Sequence, residues 1–206
     1  SLKSKYPKVY RYLYSRRNQL EQRKQYKAWY GFSAPRNLEV HDVAQFVVPL
    51  LANHGLYAEL PLDRARYCLM ASGGFSITID DKSGLSPRYV LALLNSRLLF
   101  WQLRSISNMF RGGWITCTKQ YVGTLPIRTI DFTSTADAAR HDQIVGLVER
   151  MIDLHKRVAV EQVPHVKTML QRQIEATDKQ IDQLVYQLYE LSDAEIRIVE
   201  EGSLKS

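Results

Sequence analysis

The sequence predicts an α+β fold, a mixed α/β domain followed by a long antiparallel helical hairpin. Three observations lead there. Residues 38–79 hold several short runs of β-branched and aromatic residues punctuated by Gly, Pro and Asp. Ser86-Pro87 opens an apolar helical run carrying Val90, Leu91, Leu93, Leu94, Leu98 and Leu99. Beyond residue 137 the apolar pattern becomes helical and long. Leu170, Ile174, Thr177, Ile181, Leu184 and Leu188 follow one another at alternating steps of four and three, the spacing of a heptad seam.

Taken in order, residues 5–27 read as a basic helix opened by Pro7, with Val9, Leu13 and Leu20 as a sparse apolar stripe. Residues 28–36 break it, with Trp29, Tyr30 and Phe32 around Gly31. One or two strands are expected over 38–51, with Phe46-Val47-Val48 as the buried run and Pro49 ending it or placing it at an edge. Residues 57–60, 67–70 and 75–79 read as further strands, with Ala71-Ser72-Gly73-Gly74 as a turn between the last two. The helix from Ser86 continues or restarts through Trp101 and stops before Gly112-Gly113. Residues 114–122 alternate as a strand does, and Leu125-Pro126-Ile127 closes the unit.

A Thr/Ser-rich connector, 129–137, follows. Helices over about 137–160 and 165–190, separated at Val163-Pro164, make a hairpin about 35 Å long. Ser192-Asp193-Ala194-Glu195 is a capping box for a short last helix. The expected domains are therefore 1–36, a basic linker helix and aromatic turn; 37–130, the mixed domain; and 131–206, the hairpin arm.

Charge is unevenly spread. The net charge is +7, but residues 1–36 hold ten Lys/Arg against one acid, and residues 82–130 hold seven against none. Residues 131–206 hold nine against fourteen. The positive potential thus belongs to the first 130 residues, which favours a binding surface over general solubility. The stretch 88–128 carries six Arg/Lys, no acid, and interleaved Phe100, Trp101, Phe110, Trp114 and Tyr121. That combination points to a polyanion as partner.

Catalytic patterns are absent. There is no phosphate-binding Gly-rich loop, no Asn/Asp-Pro-Pro-Tyr/Phe tetrapeptide and no nuclease-type acid cluster. Cys68 and Cys117 lie 49 residues apart with no CxxC, so neither a zinc site nor a disulfide framework is expected. The five His residues are scattered, and Glu59 and Asp63 precede Arg64 and Arg66 as ion-pair partners. No apolar run reaches the roughly 18 residues of a membrane span. Residues 1–30 lack the apolar core of a signal peptide. The expectation is a cytoplasmic binding module, with no cofactor or metal of its own and no membrane partner.

YVLALLNSRLLFWQLRSIS (89–107) followed by FRGGWITCTKQYVGTLPI (110–127) resembles the C-terminal specificity domain of TaqI-like DNA adenine-N6 methyltransferases. These include the single-chain type IIG restriction–modification enzymes, and the pattern is more distantly similar to the target recognition domains of type I specificity subunits. YPKVYRYLYSRRNQLEQR with Trp29-Tyr30 resembles the basic helix that joins the methyltransferase core to that domain. HDVAQFVVPLL resembles its first strand. IDQLVYQLYELSDAEI resembles its C-terminal helix, where Gly often stands at the position of Glu190 or Leu191.

The resemblance implies a specificity fragment. Its partners would be double-stranded DNA and the catalytic methyltransferase domain of the same polypeptide. S-adenosylmethionine would bind that domain, with Mg2+ where the parent also cleaves. The candidate base readers are Asn108, Arg111, Gly112, Gly113, Trp114, Thr116, Thr118 and Lys119. Arg111 and Lys119 suit guanine and Asn108 suits adenine, while Trp114 or Phe110 would pack on a thymine methyl or a sugar. Candidate phosphate contacts are Lys5, Lys8, Arg11, Arg16, Arg17, Arg23, Lys24, Arg36, Arg97 and Arg104. Ser72, Gly73 and Gly74 are a candidate second loop. The rival reading is a protein–protein docking module of a restriction–modification assembly, acting through the helical hairpin.

Overall fold

The structure, a computed structural model, describes residues 1–24, 28–31, 43–61 and 74–204, and they form an α+β protein. The chain divides into two units, residues 1–42 and 43–206.

In the first unit, a short helix α1 (Leu2–Lys5) precedes the basic helix expected over 5–27, which Pro7 opens as expected but which is divided into α2 (Pro7–Tyr14) and α3 (Arg17–Glu21). Pro7 causes the first break. Its ring drives the residue before it out of the helical region, and Tyr6 sits at φ −138°, ψ 67°. Arg16, at φ −114°, ψ 13°, makes the second. Tyr10 stacks on Tyr14 at 5.8 Å between ring centres, and both meet the edge of Trp29 at 6.0 Å. Residues 25–27 and 32–42, with the helix end, Phe32 and the start of the 38–51 run, lie outside the described residues.

In the second unit, β1 (Phe46–Pro49) is the centre of an antiparallel sheet, between β3 (Ala58–Glu59) and β4 (Gly74–Ile77). Phe46 faces Glu59 on one side and Ile77 on the other. Phe46 and Val48 turn into the core, as the alternation requires. Pro49 ends the strand opposite Gly74. A Cβ on Gly74 would lie 2.6 Å from the Val48 carbonyl oxygen, so the pairing needs glycine there. The expected strand at 67–70 lies outside the described residues. β2 (Leu51–Ala52) pairs separately with β5 (Ile115–Thr116).

The apolar run after Ser86 is two helices, α4 (Pro87–Asn95) and α5 (Arg97–Ile106). The break falls at Ser96, and the second helix runs through Trp101 as expected. Ser96 is extended, φ −65°, ψ 152°, and its hydroxyl accepts from the Leu99 N–H while donating to the Leu93 carbonyl. Serine thus serves as N-cap of the second helix. Asn95 reaches the other way: its side chain exchanges two 2.9 Å hydrogen bonds with the backbone of Tyr57. α4 is buried from Tyr89 through Leu94 on every face, so it is the centre of the core.

Residues 114–122 do not form one strand. Only Ile115 and Thr116 pair in β5, and residues 119–122 turn into the short helix α6 (Lys119–Val122). The N–H groups of Tyr121 and Val122 both bond the Thr118 carbonyl, which starts that turn.

α7 (Thr135–Val160) and α8 (Pro164–Leu188) are the expected antiparallel hairpin. Ile144 and Val148 join Ile181, Val185 and Leu188 in the core around α4, while Leu154, Leu170 and Ile174 make a second cluster nearer the hairpin's turn. Ser192 and Glu195 exchange the bonds of the expected capping box at the start of α9 (Asp193–Leu204).

Between α8 and α9 the Leu191 N–H bonds the Tyr186 carbonyl, and the Glu190 N–H bonds that of Gln187. This is a Schellman ending, and it puts Glu190 at φ +55°. A non-glycine residue is strained in that left-handed conformation. Glu190→Gly is therefore expected to stabilise the protein by about 0.5–1 kcal/mol despite the greater freedom of glycine in the unfolded chain. Urea unfolding of the two proteins measures it, and a loss of stability would refute the strain.

Candidate nucleic-acid interface

Residues 107–116 form a tight β-hairpin beyond α5. Met109 bridges to Ile115 across it. The Phe110 N–H bonds the Trp114 carbonyl at 2.6 Å, and the Thr116 N–H bonds that of Asn108 at 3.2 Å. The Ser107 hydroxyl fastens the base by donating to the Thr116 carbonyl. At the tip, Gly112 and Gly113 have φ of +74° and +76°. Two successive left-handed residues turn the chain where bulkier residues would be strained.

Strand alternation sorts the hairpin into two faces. Asn108, Phe110, Trp114 and Thr116 share one, and Met109 and Ile115 share the other. Ile115 is fully buried and anchors the hairpin in the core, while Met109 is 66% exposed. Asn108, Phe110, Arg111 and Trp114 are also exposed. Among the described residues, Arg111 makes no ion pair or hydrogen bond.

The other cations of the acid-free stretch behave differently. Arg88 pairs with Glu59 at 3.3 Å and Glu149 at 2.6 Å. Arg97 pairs with Asp182 at 3.1 Å and Glu200 at 2.8 Å, and its backbone N–H also bonds Asp182. Arg104 bonds the Gly202 carbonyl, and Arg128 pairs with Asp137. Acids from other elements thus pair three of the six cations of the stretch, Arg88, Arg97 and Arg128. Arg111 and Lys119, both exposed, stand outside this pairing. Thr118, the residue before α6, has its hydroxyl buried without a partner.

In the first unit, Lys5, Lys8, Arg11 and Lys24 are exposed. Arg16 lies over the Tyr12 ring at 4.2 Å, and Arg17 pairs with Glu21 at 2.8 Å beneath Trp29. Arg23 is a clamp: its guanidinium donates to the carbonyls of Leu20, Trp29 and Gly31. Arg36, Ser72 and Gly73 lie outside the described residues, and Gly74 is taken up by its place in β4.

Among the described residues no cluster of three His, Cys, Asp or Glu side chains fits a metal ion. Burial pushes the Cys117 thiol up to about 11, away from nucleophilic reactivity. Glu59 is committed to Arg88. His141 is buried between Tyr89 and Phe132 and accepts the Ser86 N–H. None of the described helices is long and apolar enough to cross a membrane.

No family model matches the chain. Over 96% of its length it is 28% identical to the Type II restriction enzyme and methyltransferase RM.Eco57I of Escherichia coli. The chain spans 20% of the length of that protein. The likeness is thus to one segment of a restriction–modification enzyme.

Two predictions separate structural from free charge. Arg97→Ala strands the buried Asp182 carboxyl and costs about 2–4 kcal/mol, whereas Arg111→Ala stays within about 0.5 kcal/mol of the parent in chemical denaturation. Equal effects would show that Arg111 is also part of the packing. Asp182 itself is raised to about 7 from 3.8, chiefly by burial. The folded state therefore holds a proton that the unfolded chain has already released across that window. The contribution of Asp182 to stability falls as pH rises from 3.8 to about 7 and then levels. Asp182→Asn is expected to remove this part of the pH dependence; a difference between the two proteins that stays constant with pH would refute it.

Proposed function

We propose that this chain is the sequence-recognising segment of a restriction–modification enzyme, binding double-stranded DNA and presenting a target adenine to a methyltransferase domain elsewhere in the same polypeptide. The observation that carries this is the 107–116 hairpin, with its unpaired Arg111 beside two left-handed glycines and exposed Asn108, Phe110 and Trp114. An unpaired guanidinium on a narrow ribbon suits a guanine edge in the major groove, which admits a two-stranded β-ribbon. The likeness to a restriction enzyme and methyltransferase over nearly the whole chain supports the same reading.

In this reading the finer type is the TaqI-like specificity domain of a type IIG enzyme. Catalysis and S-adenosylmethionine belong to the remainder of the polypeptide. Base contacts come from Asn108, Arg111, Trp114 and Lys119, with Gly112 and Gly113 letting the backbone approach. Thr116 and Thr118 support that edge from within, since the Thr116 carbonyl is held by Ser107 and the Thr118 hydroxyl is buried. Lys5, Lys8, Arg11 and Lys24 are the best-placed phosphate contacts, because each is exposed. Arg16 and Arg17 keep cation–π partners and can still face a phosphate. Arg97, Arg104 and Arg23 serve the fold first, through the bonds described above.

Arg111→Ala is expected to weaken binding to the recognised duplex by about 1–3 kcal/mol and to relax preference at one base pair. Lys8→Ala is expected to weaken all sequences evenly and to lower the salt slope by about one. Binding of randomised duplexes at several salt concentrations reads both. Unchanged affinity and site preference in Arg111→Ala would overturn the assignment of the hairpin.

A further inference from the structure

Phe110, expected from the sequence to pack on a thymine methyl or a sugar, lies exposed on the hairpin. It is 53% exposed. It pairs across the ribbon with Trp114, itself 39% exposed, and lies on the same face as Asn108. Arg111 follows it at the tip. The arrangement is one apolar contact between two hydrogen-bonding side chains.

We propose that Phe110 is a specificity-determining residue that reads the C5-methyl group of a thymine in the major groove. The inference rests on the DNA-reading function proposed above. A phenyl ring has no donor or acceptor, so it can discriminate only an apolar feature of a base edge. The thymine methyl is the apolar group that the major groove displays. Groove width decides against minor-groove wedging. Paired strands lie about 4.8 Å apart before side chains are added, which fits a groove about 12 Å wide and not one about 6 Å wide. Charge agrees, since the neighbouring Arg111 is exposed and makes no ion pair among the described residues. Met109, on the opposite face, is excluded from this contact and serves as the internal control.

The test uses the full natural protein and a randomised duplex library carrying thymine, from which bound sequences are enriched. The enriched duplex is then made with thymine and with deoxyuridine, which differ only by the methyl group. The wild-type protein is expected to bind the thymine form about fourfold more tightly, the effect of one buried methyl. Phe110→Ala is expected to bind both forms as the wild type binds the uracil form, which also shows that the variant is folded. Met109→Ala is expected to keep the fourfold preference. Equal binding of both forms by the wild type, or a preference that survives Phe110→Ala, overturns the proposal while leaving DNA recognition intact. Failure to enrich any sequence overturns the recognition function itself.

Discussion

The second unit depends on a buried carboxylate at a helix start. Asp182, 3% exposed on α8, accepts the Arg97 backbone N–H and the Arg97 guanidinium. That N–H is one of the donors that a helix start leaves unpaired. The same guanidinium continues to Glu200 on α9, which also accepts the Tyr186 hydroxyl. One ion-paired network thus joins α5, α8 and α9. Its neighbours complete the junction: Asn95 holds the Tyr57 loop and Ser96 caps α5. Gly55 explains why that loop can come so close, since a Cβ there would lie 2.5 Å from the Asn95 carbonyl oxygen. Three consecutive residues, Asn95-Ser96-Arg97, therefore fasten the β-rich segment, the second helix and the hairpin.

This junction alters the meaning of the acid-free stretch. In the sequence, 88–128 is uniformly positive, and a polyanion is the natural inference. In space, Arg88, Arg97 and Arg128 meet Glu59, Glu149, Asp182, Glu200 and Asp137, which lie up to 103 residues away. Charge segregation along a chain can report ion pairing between distant elements as readily as it reports a ligand. The surplus that matters is local, at Arg111 and Lys119, and the run as a whole does not reveal it.

Legibility followed the range of the interactions. The helical hairpin, the Ser192–Glu195 capping box and the strand at Phe46-Val47-Val48 were readable, because each depends on residues a few positions apart, although Val47 is only partly buried. The departures have longer-range or competing causes. Ser96 breaks the apolar run because its hydroxyl has a cap to make and Asp182 waits for the next N–H. Residues 114–122 alternate like a strand, but β2 offers a partner only two residues long, so the chain turns into α6. Gly112-Gly113, read from the sequence only as the place where the helix stops, forms the tip of the hairpin. What the sequence could not reveal was that Asn108, Phe110, Trp114 and Thr116 share a face, because that follows from the Met109–Ile115 pairing.

The same pairing separates the exposed edge of the hairpin from the scaffold beneath it. Ile115 is fully buried, and its strand is bonded to β2 and to Ser107. None of residues 108–114 is buried, so none of those side chains contributes substantially to the core. Stability is concentrated at the base of the ribbon, and chemistry is displayed at its tip. A substitution at 108, 110, 111 or 114 changes what the ribbon presents without opening a cavity beneath it. The glycines are the exception, because their positive φ values set the path of the ribbon itself. If the hairpin reads DNA, its specificity can change at the four exposed side chains as long as Gly112, Gly113 and Ile115 keep the ribbon in place.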